Sequence, residues 1–66
     1  MEDFIKRMID EFNQLEERAS KLNLFISTND KFKELPKEKQ ELMLLQLQGM
    51  RTYEYALNKR IALETK

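Results

Sequence analysis

Eight apolar residues, Met1, Ile5, Met8, Phe12, Leu15, Ala19, Leu22 and Ile26, recur at alternating steps of four and three through the first third of the chain. On an α-helix this a/d heptad stripe gathers the apolar side chains onto one side and leaves the others to water. The segment therefore predicts a helix over about residues 2–25 with one buried face. Glu2 and Asp3 suit the positive end of its dipole. Ser27, Thr28, Asn29 and Asp30 prefer capping nearby backbone to continuing a helix, and predict its end.

Residues 26–35 read as an elbow whose turn at 31–34 carries Phe32 back toward the core. Pro36 suits the first position of a second helix, where its missing N–H has no intrahelical partner, and that helix is expected over 36–63. Met43, Leu47, Met50, Leu57 and Ile61 form a face that can meet the first helix, while Leu42, Leu45, Tyr53, Ala56 and Leu63 form another and Leu44 lies outside both. A helix apolar on two sides is buried on two sides, and one short partner covers only one of them. The fold class expected is all-α: a single domain over 1–66, an antiparallel helical hairpin with a short helical turn at the connection, assembling into a compact homo-oligomer. The chain's 66 residues without cysteine point the same way. A core of that size supplies only about 3–5 kcal/mol, and neither a disulfide nor a thiolate metal site reinforces it. Gly49, the one glycine, costs about 1 kcal/mol against alanine inside a helix. Close approach of two helix backbones offsets such a loss, and a solvent-facing position tolerates it equally well.

Charge sums to zero but is unevenly placed: residues 1–20 carry six acids against three bases, and residues 21–40 five lysines against three acids. That bias is too mild for a DNA or RNA polymer, yet sufficient for a small anion. No basic, apolar leader follows Met1 and no apolar run reaches the roughly 18 residues of a membrane span, so a soluble, intracellular protein without a membrane partner is expected. Histidine is absent, which removes the usual proton shuttle and the commonest metal ligand. The adjacent pairs Asp10–Glu11 and Glu16–Glu17 splay about 100° apart on a helix and make poor acid/base partners. Ser20, Ser27 and Thr28 have no histidine to activate them, and no Gly-rich loop cradles a nucleoside triphosphate. Neither an enzyme, a metal site nor a cofactor is expected.

Binding has more to draw on. The rings of Phe4, Phe12, Phe25, Phe32, Tyr53 and Tyr55 are each candidates for stacking on a base, a contact worth about 1–3 kcal/mol, although Phe12 sits in the heptad stripe and Phe25 and Phe32 flank the elbow where a hairpin needs plugs. Asn13, beside Phe12, supplies an amide that can reach a base edge or a phosphate. At the elbow Ser27, Thr28 and Asn29 offer hydroxyl and amide donors, with Lys21 and Lys31 near them and the N–H groups of the following turn favouring anions. All of these residues also serve as ordinary caps and turn formers.

The order Glu11, Phe12, Leu15, Arg18, Lys21, Leu22, Phe25, Ile26, then Phe32, Leu35, Pro36, Gln40, Leu44, Gln46, Leu47, Met50, Tyr53, Leu57, Arg60 and Ile61 resembles the anti-CBASS type 2 family of phage proteins, sponges for the cyclic oligonucleotide signals of bacterial immunity. The resemblance covers nearly the whole chain. It implies a helical hexamer that holds cyclic dinucleotides in pockets between subunits without cleaving them, with separate pockets for cyclic trinucleotides in some members, in the cytoplasm of the infected host. It further implies Phe12 as the ring stacked on the base, in place of the tyrosine often found there, and Asn13 as a polar contact. Ser27, Thr28 and Asn29 occupy the phosphate-binding stretch, where the family can use a lysine that only Lys21 or Lys31 could replace, and Arg60 is the candidate for the trinucleotide site. The alternative is a helical-hairpin oligomer that acts as a structural or adaptor protein through protein–protein contacts.

Overall fold

The heptad stripe does form one helix, and the computed structural model describes it within residues 3–65. Met1 and Glu2, expected at the start of stripe and helix, lie outside the described residues, as does Lys66. Helix α1 spans Asp3–Thr28, α2 is the short Asp30–Glu34, and α3 spans Lys37–Glu64. The described residues thus form an all-α antiparallel hairpin in which α1 and α3 pack lengthwise and α2 makes the helical turn between them.

The predicted faces meet. Ile5, Met8, Leu15 and Ala19 of α1 are buried, and Phe12, Leu22 and Ile26 are half-buried along the same stripe. From α3, Leu57 fills the centre of the contact at 1% exposure and packs with Ile5, Met8 and Leu15, while Ile9, Phe12, Met50 and Ile61 close around them. The antiparallel register is marked by Arg51, whose Nη1 lies 3.2 Å from Glu16 Oε2. Ala19 is fully buried, and a side chain no larger than a methyl leaves little room to fill at such a position.

Two boundaries differ from the sequence expectation. Helix α1 runs on through Ser27 and Thr28 instead of ending near Phe25, because the chain closes its last turn itself: Asn29 N–H donates to Phe25 O at 3.1 Å and Thr28 Oγ1 to Leu24 O at 2.7 Å. A threonine hydroxyl directed at the carbonyl four residues back is compatible with helix. The break falls at Asn29, extended at φ −94° and ψ 121°, whose side chain accepts from Lys31 N at 2.9 Å and so caps α2. Pro36, expected as the first helical residue, stands one position earlier, as the cap of α3 with ψ at 145°, and its carbonyl accepts from Gln40 N at 3.1 Å.

The elbow is closed from inside. Phe32 is buried with its ring edge-on to Phe25, centroids 6.2 Å apart and planes at 88°, the favoured arrangement for two aromatic quadrupoles. Gln40 reaches back from α3, its Nε2 donating to Leu35 O at 2.8 Å and to Lys33 O at 3.3 Å. These are carbonyls that the end of α2 leaves without helical partners.

The second apolar face of α3 stays open in a single copy. Leu42, Leu45, Tyr53 and Leu63 are 58%, 62%, 45% and 67% exposed, since a rod of 46 × 15 × 14 Å has only one neighbour to offer α3. Gly49 is exposed on α3, with nothing within 4 Å of where a Cβ would stand. Among the described residues no helix is long and apolar enough to cross a membrane.

Two substitutions test this packing by urea unfolding followed by circular dichroism. Leu57→Ala is expected to cost about 2–5 kcal/mol, as for other buried leucines, enough to leave most of so small a domain unfolded. Gln40→Ala is expected to cost about 1–2 kcal/mol by stripping two elbow carbonyls of their donor.

Candidate functional site

The contact face of α3 carries one residue that packing does not call for. Met43, Leu47, Met50, Leu57 and Ile61 keep heptad spacing, and the position between Met50 and Leu57 is Glu54, only 6% exposed. Its Oε1 accepts from Arg51 Nη1 at 2.8 Å, and the same nitrogen also donates to Glu16 Oε2 at 3.2 Å. Glu16 is held in turn by Ser20, whose Oγ donates to Oε1 at 3.2 Å. Two carboxyl groups therefore face one guanidinium.

Their protonation splits accordingly. Burial pushes the Glu54 carboxyl above its ordinary value, and the facing Glu16 adds to this while Arg51 opposes it. The hydrogen bond with Glu54 holds Glu16 below its ordinary value, helped by Ser20 and Arg51 against some desolvation. Arg51 is raised, chiefly by Glu54. The two carboxyls around one guanidinium titrate as a coupled pair, with the more buried Glu54 the easier to protonate.

Beside this cluster is an open hollow of about 220 Å³, lined by Phe12 from α1 and by Arg51, Glu54, Tyr55 and Asn58 from α3. The α3 residues stand at i, i+3, i+4 and i+7, one stripe of the helix, and the antiparallel register brings Phe12 to it. Tyr55 is 66% exposed, with Lys59 Nζ 5.4 Å from its ring centroid. Rings, a carboxyl, an amide and a guanidinium converge here. With two carboxyls around one arginine the hollow is poor in positive charge, which suits a flat heterocycle bearing N–H groups better than a phosphate.

Of the residues singled out in the sequence, two of the candidate rings, Phe12 and Tyr55, line the hollow. Asn13, next to Phe12 in sequence, is exposed and does not line the hollow, and Arg60, exposed on α3, does not line it either. Ser27 lies fifteen residues further along α1 than Phe12, about 22 Å at the rise of an α-helix, so within one copy the elbow and the hollow are separate places. The elbow's polar groups serve local structure: the Thr28 hydroxyl goes to Leu24 O, and Asn29 takes the N–H groups of Lys31 and Phe32 through its side chain and carbonyl. The amide nitrogen of Asn29 is left free of that capping, and Ser27 is exposed. Lys21 forms an exposed pair with Glu17 at 3.2 Å, of the kind worth little in water.

A family model described as Sequestin matches residues 2–63 of the chain. The chain belongs to the Sequestin family. No curated protein and no solved structure matches it. The Sequestin match takes in α1, the elbow and all but the last residue of α3, and so covers the hollow and the elbow residues described above.

Sequence reasoning passed over Arg51, Glu54 and Asn58. The signal was present in the α3 face itself, where heptad steps from Met50 to Leu57 skip one position that should be apolar and is glutamate.

The split carboxyl pair predicts how stability varies with pH. Glu54, raised in the fold, penalises the folded state above its folded value, and that penalty disappears as pH falls toward the 4.5 of the free side chain. Glu16, lowered in the fold, stabilises above 4.5 and loses that contribution as pH falls further. The thermal midpoint should rise from neutral pH into mild acid and then fall, and in Glu54→Gln the initial rise should vanish; thermal melts across the range check both.

Proposed function

We propose that this Sequestin-family protein binds and sequesters cyclic dinucleotide second messengers of bacterial anti-phage defence, without cleaving them, on behalf of a phage in the cytoplasm of its host. The observation that carries the reading is the Phe12 hollow, whose wall combines a half-buried ring with a second ring and polar groups, in a chain whose family is named for sequestration. Its size suits one base. Phe12 stacks on that base, Asn13 adds a polar contact, and Ser27, Thr28, Asn29 and Lys21 meet the phosphates from the elbow of another copy, because about 22 Å of helix separates elbow from hollow within one copy. The open face of α3 supports such self-association, to the hexamer that the resemblance implies. In this reading Arg60 serves a separate cyclic trinucleotide pocket. Sequestration needs no catalytic group. It works by mass action, holding free messenger below its receptor's threshold, and therefore needs abundance and tight binding.

Calorimetric titration with a panel of cyclic di- and trinucleotides is the direct test, with the ligand recovered intact after the protein is heat-denatured. Phe12→Leu keeps apolar volume in the stripe but removes the ring, and should weaken dinucleotide binding about tenfold or more with helicity unchanged. Absence of heat with every member of the panel would favour the adaptor reading, which the exposed leucines of α3 would also serve. Gly49→Ala separates the fold from the assembly: it should stabilise the lone hairpin by about 1 kcal/mol, and if helices of two copies cross at Gly49, light scattering will show weaker self-association.

A further inference from the structure

Glu54 has no packing reason to be where it is. Replacing a buried ion pair by an apolar residue is often neutral or stabilising, and the heptad spacing of α3 asks for an apolar side chain at that position. What the carboxyl does have is a place in the wall of the hollow, beside the Phe12 ring and bonded to Arg51. We propose that the Arg51–Glu54 pair reads the edge of a base stacked in this hollow and selects guanine over adenine. This rests on the stacking role given to Phe12 above.

The selection follows from donor and acceptor order. An ionised carboxylate only accepts, through two oxygens, whereas a guanidinium only donates, through five N–H groups. Arg51 commits one nitrogen to the two carboxyls and is 44% exposed at its side chain, so it retains N–H groups for a ligand. Guanine presents an acceptor, O6, followed on the same edge by two adjacent donors, N1–H and the N2 amino group. Arg51 meets the acceptor and Glu54 the two donors. Adenine presents one amino donor next to an acceptor, N1, and so leaves a carboxylate oxygen facing a lone pair. In a site built to hydrogen-bond a donor, the analogue that lacks it leaves a desolvated group unpaired and is rejected strongly. The two carboxyls also disfavour a phosphate at this spot, so that the base and not the phosphodiester faces inward. At about 220 Å³ the hollow takes one base and not a whole dinucleotide.

The test is calorimetric titration of the full chain with cyclic di-GMP and cyclic di-AMP, in the wild type, Glu54→Gln and Glu54→Asp, with circular dichroism of each variant. The wild type is expected to bind cyclic di-GMP about tenfold more tightly or better, as a bidentate base contact provides. Glu54→Gln should lose that preference by weakening cyclic di-GMP while leaving cyclic di-AMP no weaker. Glu54→Asp, folded and charged but a methylene short, should lose it too. Equal wild-type affinity for the two ligands overturns the inference and leaves the proposed function standing, as does equal weakening of both ligands in the variants, which would mark Glu54 as structural. Failure of the wild type to bind either ligand or any other cyclic nucleotide removes the proposed function and this inference together.

Discussion

The whole molecule hangs on the seam between α1 and α3, with Leu57 at its centre among Ile5, Met8 and Leu15. No disulfide or second core layer stands behind it. A hairpin 46 Å long and about 15 Å across has nearly every other side chain at its surface. What the seam leaves uncovered therefore decides the rest of the protein's behaviour: an apolar face along α3, and a charged defect in the seam itself. Closure of the elbow by Phe25, Phe32 and Gln40 sets the register in which the two helices meet. From that register follows which α1 residue looks into the α3 stripe of Arg51, Glu54, Tyr55 and Asn58.

Phe12 belongs to both worlds. It packs against the core cluster from the rim, half-buried, and its remaining surface walls the hollow. A ring anchored this way is held by the same contacts that fold the chain, so that stacking a ligand on it requires little further ordering. Glu54 shows the opposite compromise. Placed where packing favours a leucine, it lowers the stability that the seam could reach, and its raised protonation is the physical sign of that cost. A buried carboxyl of raised protonation beside an open hollow is what makes this place a candidate site.

The separation of hollow and elbow has a consequence for assembly. A ligand with two bases and two phosphates is longer than the hollow and meets little positive charge inside it. In the proposed sponge the phosphates must therefore be met by groups from another copy, and the open face of α3 is what brings copies together. Binding and self-association would then be coupled, each ligand tightening the contact between the subunits it touches. Membership of the Sequestin family agrees with a protein whose work is to hold a molecule.

Much of this was legible in the order of residues. The stripe from Ile5 to Ile26, the return of Phe32 to the core, and the face from Met43 to Ile61 follow from helical periodicity, a local property that sequence carries in full. The two-sided character of α3 follows from it as well. Helix ends were read less well, because Thr28 and Asn29 can either stop a helix or complete its last turn, and hydrogen bonds to Leu24 and Phe25 decide between them. The candidate site was read least well. Phe12 and Tyr55 could be named from their type, but not as neighbours, and Arg51, Glu54 and Asn58 were not named at all, since the α3 residues lie roughly forty residues from Phe12 and meet it only when the antiparallel register is set. Sequence alone determined a helical hairpin with an unpaired apolar face. Only the tertiary structure decided that a buried carboxyl, an arginine and two rings share one hollow, because register between helices depends on how a particular elbow closes and not on either helix by itself.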